Sequence, residues 1–147
     1  MKRIVLGLFF LGMFLWGTLP VQAAGDRIWG ALVLGTNENP PARVPEKLSD
    51  YTSTLEKIFG YNSFYLLGQK KRDLVKGDEA WLLPTKEFFL RVYCLAREKT
   101  YYKLRIELYR KDELLVTTEA KLARDAPLYI RGPLWGGGQL IFLLEVR

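Results

Sequence analysis

The sequence predicts an α+β fold, in which one amphipathic helix packs on a mostly antiparallel sheet of about seven or eight strands. The prediction rests on a contrast within the chain. A single stretch has the apolar spacing of a helix, whereas most of the chain after Gly60 has the alternation and the turn residues of strands. One helix cannot cover so large a sheet, which favours a sheet that curls towards a barrel or sandwich.

The helix is predicted from Pro45 to Phe59. The apolar residues that share helical spacing are Leu48, Tyr51, Leu55, Ile58 and Phe59. Pro45 suits the first helical position, and Gly60 suits the C-terminal cap, where glycine tolerates a left-handed backbone. The prolines and asparagines between Thr36 and Pro45 indicate that a loop precedes this helix.

Strand character is spread over the rest of the chain after the first 26 residues. The predicted strands are Arg27 to Gly35, Tyr61 to Leu67, Asp73 to Val75, Glu79 to Leu83, Phe88 to Arg97, Tyr101 to Tyr109, Glu113 to Leu122, Leu128 to Arg131 and Gln139 to Val146. The third and fourth are expected to form a short hairpin, after a charged turn at Gln69 to Arg72. The first is expected to be largely buried, and the last, apolar on both faces, to be central.

The three strands between Phe88 and Leu122 alternate so regularly that their register can be predicted. The expected inward pairs are Leu90 with Leu108, Val92 with Ile106, Cys94 with Leu104 and Ala96 with Tyr102. The expected outward pairs are Phe89 with Tyr109, Arg91 with Glu107 and Tyr93 with Arg105. The third strand is expected to pair Leu108 with Leu114, Ile106 with Val116 and Lys103 with Glu119.

This register predicts a candidate binding surface on the outward side of the three strands. Its residues are Arg91, Tyr93, Arg97, Tyr101, Lys103, Arg105 and Tyr109. Aromatic and arginine side chains are enriched together in protein interfaces and on surfaces that bind polyanions. The alternative is that loops or the helix cover the aromatic rings while the basic stems lie across them. Trp135, on a glycine-rich loop from Gly132 to Gly138, is a further candidate, as an exposed recognition residue.

The composition disfavours several chemistries, because the chain has no His and only one Cys. Transition metals and haem draw on His, Cys and Met, so neither a metal nor a cofactor is expected. Catalysis by an imidazole-activated nucleophile is excluded. Cys94 is expected to be a buried, inert thiol, with an intermolecular disulfide as the alternative. The Gly132 to Gly138 segment lacks the Lys, the Ser or Thr and the helix of a phosphate loop.

The N-terminal segment has the three parts of an export signal. Lys2 and Arg3 precede an apolar run from Ile4 to Leu19, and small residues follow at Val21 and Ala23. We therefore predict a signal peptide over residues 1–23 and a single α+β domain over residues 24–147, which carries 20 basic and 16 acidic residues. The alternative is an uncleaved anchor, although the run is shorter than the ~20 residues that cross a bilayer. Contact with a membrane is expected only through such an uncleaved signal.

The chain resembles a group of small exported bacterial proteins of unassigned function. The shared phrases run from Phe59 to Gly68, just after the helix, and from Pro127 to Ile141, around the closing strands. The resemblance implies an exported sheet domain in the periplasm or outside the cell, and it implies no activity.

These observations favour a non-catalytic binding or assembly module of the bacterial cell envelope, with a protein or an anionic envelope component as its partner. One alternative is a small hydrolase that uses carboxylates or Lys. Another is a binder of anionic envelope polymer or nucleic acid. Nucleic acid is the less favoured of these, because the basic cluster of Lys70 to Arg72 with Lys76 belongs to no nucleic-acid-binding motif.

We expect N-terminal sequencing of the exported protein to begin at Ala24, because Val21-Gln22-Ala23 presents small residues to a signal peptidase. A protein that retains Met1 or Lys2 would instead indicate the uncleaved anchor.

Overall fold

Antiparallel strands and one α-helix make up the computed structural model, which describes residues 26–74, 79–82 and 85–147. In chain order the elements are β1 (Arg27–Thr36), a 3-10 helix (Glu46–Leu48), α1 (Thr52–Phe59), β2 (Ser63–Asp73), β3 (Glu79–Leu82), β4 (Phe88–Arg97), β5 (Tyr101–Arg110), β6 (Glu113–Ala123), β7 (Leu128–Trp135) and β8 (Gly138–Val146). The predicted β-rich α+β fold with antiparallel strands and one helix is confirmed. The predicted signal peptide lies outside the described residues.

The strands are divided between two four-stranded sheets. Sheet A has the order β2-β1-β8-β7 and sheet B the order β3-β4-β5-β6, and the pairings in both are antiparallel. The last strand, β8, is central in sheet A, as its apolar residues on both faces predicted. β1 beside it is buried from Ile28 to Gly35.

The two sheets share one apolar core. Ile28 and Leu32 of β1 and Phe142 of β8 belong to the same buried cluster as Leu90 of β4 and Ile106 of β5. One face of each sheet is therefore turned towards the other, and burying these side chains supplies the main stabilisation of the domain.

The helix packs on the other face of sheet A. Leu48 and Leu55 form a second buried cluster with Trp29, Val33 and Ile141, whose positions alternate with those of the shared core. α1 has eight residues. In the described ranges no helix combines the length and the apolar character that crossing a membrane requires.

The continuous helix predicted from Pro45 to Phe59 is wrong in one respect, since it divides into a 3-10 turn and α1. Tyr51 lies at the break, where its ring stacks on Trp29 with 5.6 Å between ring centroids. Its hydroxyl donates a 2.6 Å hydrogen bond to Glu145 of β8. The break thus lets Tyr51 contact both central strands of sheet A. Gly60 caps α1 with φ +75°, as predicted.

The predicted charged turn at Gln69 to Arg72 and the hairpin after it are both wrong. β2 continues through these residues to Asp73, which pairs with Arg27 of β1. The segment Glu79–Leu82 pairs instead with β4, in the other sheet. The long apolar strand β1 offers pairing along its whole length, and the basic side chains can face solvent because β2 is an edge strand. Val75, the inner end of the first predicted arm, and Leu83, the outer end of the second, lie outside the described residues.

The predicted loop from Gly132 to Gly138 is mostly strand. β7 continues to Trp135, and Gly136 and Gly137, with φ of +57° and +76°, form the turn before β8. Trp135 is therefore not the exposed loop residue that the sequence suggested. Its ring is half-buried and meets Phe88 of β4 edge to face, with centroids 5.4 Å apart.

We expect Leu55→Ala to lower the free energy of unfolding by about 3 kcal/mol, the usual cost of deleting a buried leucine side chain. Leu55, on the side of α1 that faces sheet A, is fully buried, whereas Ile58 in the same helix is 50% exposed. Ile58→Ala is the matched control, and denaturant titration should show a loss for it below about 1 kcal/mol. Equal losses for the two variants would mean that α1 does not pack on sheet A through Leu55.

Candidate functional site

The candidate surface is the outward face of sheet B, and the register predicted between β4 and β5 positions it. Arg91 pairs with Glu107, Tyr93 with Arg105 and Phe89 with Tyr109, as expected. The residues between them in β4 and β5 belong to the shared core. We call the surface the B face; its members are Phe89, Arg91, Tyr93, Tyr101, Lys103, Arg105, Glu107, Tyr109, Thr117, Glu119 and Lys121.

The structure brings six of the eight candidate binding residues together on the B face. Arg91, Tyr93, Tyr101 and Tyr109 are half-buried, and Lys103 and Arg105 are exposed. α1 does not cover them, because it packs on the outer face of sheet A, on the opposite side of the shared core. The other two candidates are separate from this group: Trp135 lies in β7 of sheet A, and Arg97 pairs with inward Tyr102.

Basic side chains lie across the aromatic rings of the B face. The guanidinium carbon of Arg91 is 5.0 Å from the ring centroid of Tyr93, and that of Arg105 is 5.8 Å from the same ring. The ammonium of Lys121 is 4.9 Å from the ring of Tyr101. These are cation–π distances, so the charged groups themselves lie against the rings of Tyr93 and Tyr101.

Two carboxylates on the B face are already engaged. Glu107 lies 3.6 Å from Arg91 and accepts a 2.7 Å hydrogen bond from the Tyr109 hydroxyl. Glu119 lies 3.9 Å from Lys103. Within the described residues, Arg105 and Lys121 form no ion pair, although Glu119 lies opposite Arg105 in the β5–β6 ladder. The surface therefore carries positive charge that its own acids do not neutralise.

One end of the B face is concave. A cavity of about 350 Å³ lies beside the β5–β6 turn, lined by Phe89, Arg91, Tyr109, Lys111 and Asp112. Phe89 is 36% exposed there. Two aromatic walls and two basic groups thus surround a depression large enough to receive a side chain of a partner.

The predicted register between β5 and β6 is wrong by two residues, although the predicted faces are right except at Leu114, which pairs with outward Tyr109 and is 47% exposed. Leu108 pairs with Val116 rather than Leu114, and Lys103 pairs with Lys121 rather than Glu119. The cause is a tight turn, in which Lys111 has φ +53°, together with a bulge between Leu108 and Tyr109. From Val116 onward the shift of two preserves the inward and outward sets, and the bulge moves Leu114 to the outward set. It places Lys103 directly opposite another lysine.

A second bulge removes Arg97 from the B face. The predicted pair of Ala96 and Tyr102 is wrong, because a bulge between Cys94 and Ala96 pairs Arg97 with Tyr102 instead. The extra residue turns Arg97 towards the core side of the strand. Its guanidinium carbon lies 6.0 Å from the Tyr102 ring centroid and a terminal nitrogen lies 3.7 Å from Asp26.

Arg97 thereby joins a polar cluster at the end of the two sheets, which the sequence analysis missed. The hydroxyl of Tyr102, which is fully buried, and the guanidinium of Arg124 both donate hydrogen bonds to the Asp26 carboxylate. The hydrogen bond from Tyr102, with the contributions of Arg124 and Arg97, lowers the pKa of Asp26 although burial opposes it. Burial and the bond to Asp26 raise the pKa of Tyr102.

The Asp26 cluster is suited to joining strands rather than to catalysis. A carboxylate held ionised by two hydrogen-bond donors and a nearby guanidinium is a poor general acid, and these contacts converge on its Oδ2. Asp26 precedes β1 of sheet A, whereas Tyr102 and Arg124 belong to the β5–β6 side of sheet B. A buried hydroxyl at an inward position was the signal in the sequence, since such a group requires a partner.

The remaining candidates occupy separate places. Cys94 is buried and inward, as predicted. Lys70 and Lys71 lie on β2, the edge of sheet A away from the B face. Trp135 borders a second cavity of about 460 Å³ with Tyr61, Leu134 and the Gly136–Gly138 turn. In the part of the chain that the structure describes, no group of three or more His, Cys, Asp or Glu residues could hold a metal ion.

Comparison with known proteins adds no relative, because the chain matches no protein family, no curated protein and no solved structure.

We expect Asp26→Asn to lower the free energy of unfolding at pH 7 by about 2 kcal/mol, because charge-assisted hydrogen bonds from Tyr102 and Arg124 are weakened. A carboxyl whose pKa is lowered by folding stabilises the fold above its unfolded pKa, and this stabilisation disappears as pH falls through the folded value. The stability of the unsubstituted protein should therefore fall more steeply below about pH 4 than that of the variant.

Asp73→Asn is the control for this experiment. Asp73 pairs with Arg27 at 3.2 Å, and both side chains are more than 60% exposed. Its removal should cost less than about 1 kcal/mol. The same pH profile for Asp26→Asn and for the unsubstituted protein would contradict the role assigned to Asp26.

Proposed function

We propose that the chain is an exported, non-catalytic binding module of the bacterial cell envelope, and that its B face docks an acidic surface of a partner protein. The observation that carries the proposal is the position of Arg105. Its side chain is exposed near the middle of the B face, 5.8 Å from the Tyr93 ring, and forms no ion pair among the described residues, since Glu119 opposite it in β6 pairs with Lys103. An acidic group of a partner would supply the missing counter-charge.

The arrangement of the B face supports this mode of binding. Arg91 and Arg105 both lie within 6 Å of the Tyr93 ring, so the guanidiniums are held by stacking before a partner arrives. A side chain that is already ordered loses less conformational entropy on binding. Arginine and tyrosine are also the residues that most often dominate binding energy in protein interfaces.

Charge balance favours a protein partner over an anionic polymer. The B face carries four basic residues, Arg91, Lys103, Arg105 and Lys121, with Glu107 and Glu119 between them. Carboxylates on the binding surface oppose a uniformly anionic chain, which is held by many cations at once. A protein surface that alternates acidic and polar groups suits this mixed pattern better.

The N-terminal segment supports the assignment to the envelope. Its basic start, apolar run and small residues before Ala24 have the pattern of a cleaved export signal. The resemblance to small exported bacterial proteins points to the same compartment.

We expect Arg105→Glu to reduce retention of envelope partners at least about tenfold, because the substitution places a third acid on the B face and removes the unpaired cation. The measurement captures proteins from solubilised envelopes on the immobilised chain and compares variants by quantitative mass spectrometry. The control is Lys71→Glu, the same charge reversal at an exposed position on the far edge strand β2. It should change retention less than about twofold.

Only proteins that depend on Arg105 and not on Lys71 count as partners in this comparison. Their retention should also weaken as salt rises, since screening reduces the charge contribution. Thermal unfolding of each variant checks that the fold is intact. Equal retention by Arg105→Glu and the unsubstituted chain, or equal loss with Lys71→Glu, would contradict the proposal.

A further inference from the structure

The four edge strands of the two sheets are not equally protected. β3 has four residues in the described part of the chain, and β2 carries three consecutive basic residues, Lys70, Lys71 and Arg72. β7 contains Pro133 and a bulge between Arg131 and Leu134. Short length, lysines, proline and bulges all discourage another chain from pairing with a sheet edge.

β6 is less protected than these strands, although it carries Lys121 and, near its start, a bulge at Leu115, where Leu108 and Tyr109 of β5 pair with Val116 and Leu114. It runs for 11 residues, Glu113–Ala123, without proline or glycine. In the described residues β6 has one hydrogen-bonded sheet neighbour, β5. β7 and β8 of sheet A approach β6 without pairing with it, so the backbone donors and acceptors on its other side have no strand partner. Such an edge is a template for an added strand.

The charges on β6 are complementary to those of a second, antiparallel copy of β6. Glu119 and Lys121 both project on the B face, with Ala120 between them. If two copies of β6 pair antiparallel about a two-fold axis at Ala120, Glu119 of each copy lies opposite Lys121 of the other. Moving the axis to Glu119 sets glutamate against glutamate, and moving it to Lys121 sets lysine against lysine. The pattern therefore favours one register over its neighbours.

The same pairing relieves an unfavourable contact within the chain. Lys121 lies directly opposite Lys103 in the β5–β6 ladder, and Glu119 is 3.9 Å from Lys103. Lys121 has a ring contact with Tyr101 and no carboxylate partner among the described residues. Glu119 of a second copy would provide one.

We propose that the chain forms a homodimer through antiparallel pairing of β6 with β6 of a second copy, centred on Ala120. The two sheets B become one continuous eight-stranded sheet, with a B face at each end of the same side. The proposal goes beyond the proposed function and does not depend on it. Where both hold, a dimer presents two equivalent docking surfaces, which strengthens binding to a repeated or clustered partner.

Reversing the charges of Glu119 and Lys121 tests the register of the β6–β6 pairing. A single strand pair is a small interface, so we expect the purified chain to dimerise at roughly tens to hundreds of micromolar in sedimentation equilibrium. Glu119→Lys and Lys121→Glu should each weaken self-association about tenfold or more, because like charges then meet twice across the axis. The double variant Glu119→Lys/Lys121→Glu should restore it. An equimolar mixture of the two single variants should form a heterodimer.

Glu113→Lys is the matched control, with the same charge change on the same strand but outside the residues paired around Ala120. It should leave the dimer unchanged, and circular dichroism should show that every variant is folded. An unsubstituted chain that stays monomeric at about 1 mM would overturn the proposal. So would a dimer that is insensitive to both single substitutions, or one that neither the double variant nor the mixture restores.

Discussion

The helix α1 is long enough to cover the outer face of only one of the two sheets. The apolar and polar patterns of the strands follow from this limited coverage. Two sheets that share a core leave two outer faces. α1 covers the outer face of sheet A through Leu48 and Leu55, and β1 and β8 are accordingly apolar on both sides. No helix in the described residues remains for sheet B. Its strands β4 and β5 therefore alternate apolar and polar residues, and their polar side is the B face.

The sequence predicts those parts of the fold in which every residue of a strand contributes to the pattern. The alternation in β4 and β5 determined both the faces and the pairing of Arg91 with Glu107, because a one-residue slip would expose the core. The bulge beyond Cys94 could not be predicted, since it depends on the partners that Arg97 gains, Tyr102 and Asp26. The pairing of β2 with β1 was missed because a charged segment can form an edge strand once a long neighbour offers hydrogen bonds.

The candidate site, like the fold, was predicted where strand alternation assigns residues to a face. Residues that share a face by alternation, such as Tyr93 and Arg105, lie together as expected, whereas Trp135 was misplaced because its glycine-rich surroundings resembled a loop. The exposed edge of β6 was not recognised, because strand order in a sheet depends on contacts far apart in the chain. The structure adds that the B face and the β6 edge adjoin, with Lys121 in both. Docking and self-association are thus expected to influence each other through one lysine.

The central claim is that the B face, and not the helix side, meets a partner in the envelope. Dicarbonyl labelling of arginines in intact envelopes and in the purified protein tests it directly, with Arg105 and the exposed Arg43 of the 37–45 loop compared in each sample. The account predicts that Arg105 is protected in the envelope relative to the purified protein while Arg43 reacts equally in both. An Arg105 that reacts as readily in the envelope as in isolation would contradict it.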